Sequence, residues 1–78
     1  MPELLRKGYF LGAKLRSVRK RHGLTLEDLS VRCMQRDSTL APSVSYLSMI
    51  ESGKRMPSAE VLTLLAAVFQ RPPAWFLY

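Results

Sequence analysis

The sequence predicts an all-α fold, five helices around one hydrophobic core. Two observations carry that expectation. Apolar residues recur at three- and four-residue spacing through most of the chain, the period of a helix with one buried side. Helix start and stop signals also alternate in order: Thr25, Ser43 and Ser58 as caps, with Gly23, Pro42, Gly53 and Pro72-Pro73 as breaks. No alternating strand pattern competes. At 78 residues there is room for one core, and a chain this short buries only about 60% of its unfolded surface.

Residues 1–8, MPELLRKG, are either a basic arm carrying Arg6 and Lys7 or an extra turn packing Leu4 and Leu5; residues 9–78 form the domain proper. The first helix is expected from about Tyr9 to His22 and stops at Gly23. Leu11, Leu15, Val18 and His22 give its buried stripe, and Lys14, Arg16, Lys20 and Arg21 face water or a polyanion. Thr25 caps the second helix, with Glu27 and Asp28 in the first turn where the helix dipole favours negative charge; Leu26, Leu29 and Cys33 form its apolar side. The connection over 33–43 ends at Pro42, after which Ser43 caps a third helix that stops at Gly53. Ser58 caps a fourth, AEVLTLLAAVFQ, with Val61, Leu62, Leu65 and Phe69 inward. Pro72 and Pro73 start a final short helix holding Trp75 and Phe76.

Charge and composition narrow the function. The net charge is +6, and seven of the twelve basic residues fall in positions 1 to 23. Such a domain suggests an acidic partner, nucleic acid first and an anionic membrane surface second. No apolar run approaches the roughly 20 residues of a bilayer span, and the N-terminus mixes charges throughout, unlike a signal peptide. A soluble, cytoplasmic protein is expected. His22 and Cys33 are the only histidine and cysteine, so no metal-ligand spacing exists and no disulfide forms within the chain. Cys33 reads as a small buried apolar residue and His22 as a helix C-terminal residue meeting the dipole. No glycine-rich phosphate loop appears. Neither catalysis nor a cofactor is expected.

The stretch SVSYLSMIESGKRMPS, residues 43–58, asks for a further account. At about 100° per residue, Ser45, Ser48, Met49 and Ser52 share one side of the helix, and Tyr46, Leu47 and Ile50 share the other. Serine is a poor helix former and an unusual filler for a solvent-facing side.

Order and spacing then become specific. G-L-T at 23–25, L-S at 29–30, Y-L-S at 46–48, I-E-x-G-K-R at 50–55 and P-S at 57–58 resemble the phage-repressor-like (Xre-type) helix-turn-helix family over about residues 11–76. The resemblance implies a repressor-like domain that binds double-stranded DNA, with a recognition helix over about 44–52 in the major groove and a supporting helix beginning at Thr25. It implies base contacts from Val44, Ser45, Ser48 and Met49: hydroxyls to base edges, Val44 and Met49 to thymine methyls. Phosphate contacts are implied for Thr25, Ser43, Ser52, Lys54 and Arg55, with Lys20 and Arg21 as reinforcements. Arg19 and Glu51 match an Arg–Glu pair of the family, implying a structural ion pair that orients the recognition helix.

The chain departs from the family pattern in three places. Gln, Asn or Arg is common on the reading side and absent here. Leu26 stands where many members carry a DNA-contacting Gln, and is read as core. Fifteen residues separate Ser30 from Tyr46, more than the family usually has. The excess is either a DNA-contacting loop presenting Gln35 and Arg36, or, the favoured alternative, a longer second helix and an ordinary loop whose Leu40 packs on the core. The apolar C-terminus, Trp75 to Tyr78, is core, a dimer surface, or the lead into a sensor domain beyond this chain. The resulting expectation is a transcriptional regulator, or its DNA-binding domain, acting as a homodimer on a palindromic operator. Two alternatives stand beside it: an antitoxin or accessory factor whose main contact is a protein, and a membrane-surface binder, disfavoured because Trp and Phe lie at the opposite chain end from the basic helix.

Overall fold

The computed structural model describes the backbone of residues 3–77 and side chains from Phe10 to Leu77. Four α-helices, α1 (Glu3–Arg21), α2 (Leu26–Arg36), α3 (Val44–Glu51) and α4 (Ala59–Val68), are followed by a single 3-10 turn, Pro73–Phe76. The expected fifth helix is thus one turn only. Two prolines set its start and leave too few residues for an α-helical ladder. No strand occurs among the described residues. Backbone of residues 3–8 continues α1; the side chains of Leu4, Leu5, Arg6 and Lys7, and Tyr78 as a whole, lie outside the described residues.

Leu11, Leu15 and Val18 of α1, Leu29 and Cys33 of α2, and Leu47 and Ile50 of α3 fill the core, with Val61, Leu64, Leu65, Ala66 and Phe69 of α4 and Phe76 of the 3-10 turn. Three expectations need correction. Leu64 and Ala66 are buried, while Leu62 is only partly so, because α4 is sandwiched between α2 and the C-terminal turn and buries a broad stripe. His22 lies outside the stripe and is exposed. It packs edge-on against Phe69 with 5.1 Å between ring centres, and its Nδ1 is 2.9 Å from the carbonyl of Val18 at the end of α1. Leu40 is 39% exposed. Half-buried Ala41 and buried Pro42 pack inward instead.

The long connection resolves into ordered pieces. α2 continues to Arg36, and the Asp37 carboxylate then accepts from the Thr39 and Leu40 amides at 3.0 and 3.2 Å and from the Thr39 hydroxyl at 2.7 Å. Ser30 Oγ donates to the Pro42 carbonyl at 2.8 Å, tying the end of the loop back to α2. Gln35 and Arg36 are exposed on the last turn of α2.

Three helices end in the same geometry. A residue at positive φ (Gly23, +70°; Gly53, +78°; Gln70, +55°) follows each of α1, α3 and α4. Paired reverse hydrogen bonds accompany it: Gly23 to Lys20 and Leu24 to Arg19, Gly53 to Ile50 and Lys54 to Met49, Gln70 to Ala67 and Arg71 to Ala66. These are Schellman motifs, which satisfy the last carbonyls of a helix while reversing the chain.

Candidate nucleic-acid interface

α3 is built to be held from behind. Ser43 caps it, its Oγ accepting the Tyr46 amide at 3.1 Å. Leu47 and Ile50 are fully buried, Tyr46 half-buried, and Ser45 and Ser48 exposed, as the two-sided pattern requires. Val44 and Met49 are half-buried at the margin between the sides. α1 crosses the C-terminal end of α3 at Gly12. A Cβ there would press on the carbonyl oxygens of Ile50 and Glu51, the latter at 2.6 Å, so only glycine permits this approach.

Two helical turns along α1 from that crossing, the two helices are tied by charge. Arg19 Nε and Nη2 donate to Glu51 Oε2 and Oε1 at 2.6 and 2.9 Å, and Nη1 donates to the Leu24 carbonyl at 2.7 Å. Both side chains are nearly buried, 11% and 8% exposed. The hydrogen bond to Glu51 raises the pKa of Arg19, against the opposing effect of burial. The bidentate geometry satisfies both carboxylate oxygens and fixes the roll of α3. The one acidic side chain of α3 is therefore neutralised.

Beyond α3, Gly53 turns the chain so that the Lys54 and Arg55 amides both point to the Met49 carbonyl, at 2.9 and 3.3 Å. Their side chains are exposed, and the Arg55 guanidinium lies 5.8 Å from the centre of the Tyr46 ring. Ser52 is exposed at the C-cap and donates from Oγ to the Met49 carbonyl at 3.2 Å.

Thr25 caps α2, as its residue type predicts. Its Oγ1 accepts the Asp28 amide at 3.0 Å, and the Asp28 carboxylate accepts the Thr25 amide at 2.9 Å, a closed capping box. The Thr25 backbone donor holds the Asp28 pKa below the ordinary carboxylate value of 3.8. The start of α2 already carries its own anion, leaving the Thr25 hydroxyl hydrogen and the Leu26 and Glu27 amides for a phosphate. Lys20 and Arg21 are exposed in the last turn of α1. The groove between α1 and α3 is lined instead by Arg16, Arg19, Leu26, Ser48, Glu51 and Ser52. The sequence pattern alone gives Arg16 only a solvent or polyanion side; the signal that finds it is its place one turn after Gly12 and three residues before Arg19. Leu26, half-buried in that groove, packs on the core margin.

Comparison with known proteins adds one finding. A helix-turn-helix family model matches residues 43–76, from the α3 cap through the C-terminal turn. That match supports a likeness to the phage-repressor-like helix-turn-helix family over residues 43–76. This is a family of DNA-binding domains, generally without catalytic activity. No curated protein and no solved structure matches the chain. Among the described residues no cluster of His, Cys, Asp and Glu could hold a metal ion, and no helix is long and apolar enough to cross a membrane.

Proposed function

We propose that this helix-turn-helix chain binds double-stranded DNA sequence-specifically, as a transcriptional regulator or the DNA-binding domain of one. The observation that carries the reading is the two-sidedness of α3: Leu47 and Ile50 sunk, Ser45 and Ser48 exposed, Glu51 neutralised, and Lys54 and Arg55 exposed just past its end. A helix entering a groove about 12 Å wide needs a narrow, hydrogen-bonding leading side. Ser45 and Ser48 meet base edges there, Val44 and Met49 meet thymine methyls, and Ser43, Ser52, Lys54 and Arg55 hold phosphates. Lys20, Arg21 and the Thr25 hydroxyl contribute outer backbone contacts. Single hydroxyls discriminate less than the about 1–3 kcal/mol of a bidentate side chain, so groove shape and bridging water share the selection. The chain acts as a homodimer on a palindromic operator, with recognition helices about 34–36 Å apart, in the cytoplasm and without a cofactor. A sensor domain, where the regulator has one, follows Tyr78.

Selection from a random duplex library tests this directly. Enrichment of a palindrome, bound far more tightly than scrambled DNA, is the expected outcome. Ser45→Ala/Ser48→Ala should lose that preference while melting like wild type. Uniform binding without enrichment would reduce the domain to phosphate affinity. The alternative, an antitoxin or accessory factor held mainly by a protein, draws support from a separate apolar cleft lined by Phe10, Ala13, Lys14, Ser17, Phe76 and Leu77.

A further inference from the structure

The groove between α1 and α3 contains a cation that the recognition helix itself lacks. Gly12, Arg16 and Arg19 follow one another at four and three residues along α1, the spacing of a single helix side. Gly12 touches the backbone of Ile50 and Glu51, and Arg19 is bonded to Glu51. Arg16, between them in sequence, is exposed and lines the same groove as Ser48 and Ser52. The Arg19 guanidinium has its Nε, Nη1 and Nη2 engaged with Glu51 and Leu24. Both oxygens of Glu51 are likewise taken, so the floor of the groove is a closed pair. Glu27 also acts electrostatically on Arg19, but it does not line the groove. Arg16, with no ion pair among the described residues, therefore presents a positive charge at the rim, beside two exposed hydroxyls. A planar five-donor fork next to hydroxyl donors suits a phosphodiester oxygen. The Ser52 hydroxyl, which donates to Met49 at 3.2 Å, needs only to rotate to join it.

We propose that Arg16 and Ser52 form a phosphate-binding notch beside the base-reading Ser48, so that α1 as well as α3 holds the DNA backbone. This rests on the DNA-binding reading above. The competing role for Arg16 is structural, a cation stabilising the C-terminal end of α3, and it would show in melting rather than in salt dependence.

The experiment compares wild type, Arg16→Gln, Arg16→Lys and, as a charge-matched control, Arg71→Gln, on one duplex at several salt concentrations, with melting temperatures alongside. Arg71 stacks on Trp75 at 4.6 Å, in the α4 and C-terminal-turn region that packs away from α3. One phosphate contact contributes about 0.9 to the slope of log K against log salt. Arg16→Gln should lose that increment, so that raising salt from about 50 to 200 mM costs about 3.5-fold less affinity than in wild type. Arg16→Lys should keep the slope, Arg71→Gln should keep it too, and all four proteins should melt alike. Equal slopes for Arg16→Gln and Arg71→Gln would overturn the notch while leaving DNA binding intact. So would an affinity loss that tracks a lowered melting temperature at the wild-type slope. A wild-type chain that binds no duplex would overturn the DNA-binding reading and the notch with it.

Discussion

At the scale of single residues, the interior is decided by a few positions. Cys33 is fully buried, and burial pushes its thiol pKa up to about 11; it is a packing residue rather than a nucleophile. Glu51 is the sharper case. Glu51→Ala leaves Arg19 nearly buried and unpaired, a loss of about 3–5 kcal/mol. In a domain of this size that lowers the melting temperature by at least about 10 °C, and DNA affinity falls with it because α3 loses its fixed roll. Thermal melting checks the first, and a variant melting like wild type would sink the idea. Gln70 points the other way, since it holds positive φ with an ordinary side chain. Gln70→Gly should raise stability by up to about 1 kcal/mol, with the added freedom of glycine in the unfolded chain offsetting part of the gain; denaturant unfolding reads it. Arg19 and Glu51 were legible from family spacing. Gln70 was not, because nothing in its side chain advertises a left-handed stop, and only the chain reversal before Pro72 requires one.

At the scale of elements, caps made the helices readable and close packing did not. Thr25, Ser43 and Ser58 each accept a backbone amide three residues on, and those starts follow directly from residue type. The second helix runs past its apolar pattern to Arg36, and Asp37 closes it well before Pro42. Gly12 was hidden inside an ordinary helical stretch, and its demand comes from the backbone of another element. Gly12→Ala should cost about 3 kcal/mol, the upper end for overpacking, since the atoms it meets are carbonyl oxygens that cannot swing aside. Calorimetry should show a clear fall in melting temperature. Wild-type melting would mean α1 can slide off α3.

At the scale of the molecule, one core joins a wedge of three helices to a C-terminal clasp. Lys14 closes the clasp, its Nζ donating to the Trp75 carbonyl at 2.7 Å and lying 5.2 Å from the Trp75 ring centre. The sequence located Trp75 and Phe76 as a cluster but not their division: Phe76 is core, Trp75 is half-buried between Lys14 and Arg71. Acid stability belongs to this scale. Hydrogen bonds from Thr25 hold the Asp28 pKa below its ordinary value of 3.8, and those from Thr39 and Leu40 do the same for Asp37. A carboxyl whose pKa is lowered by folding contributes stability above its unfolded value and loses it as pH falls through the folded one. Melting temperature should therefore fall only below about pH 4; a decline beginning near pH 6 would implicate other groups. The pinning of α3 has a different kind of consequence. Its C-terminal end is locked by Gly12 and Arg19, and its rear by Leu47 and Ile50, so folding draws nothing from the outward hydroxyls of Ser45 and Ser48. Those two positions form a writable tip on a fixed handle, and a library varied there would sample new target preferences while every member kept the same fold.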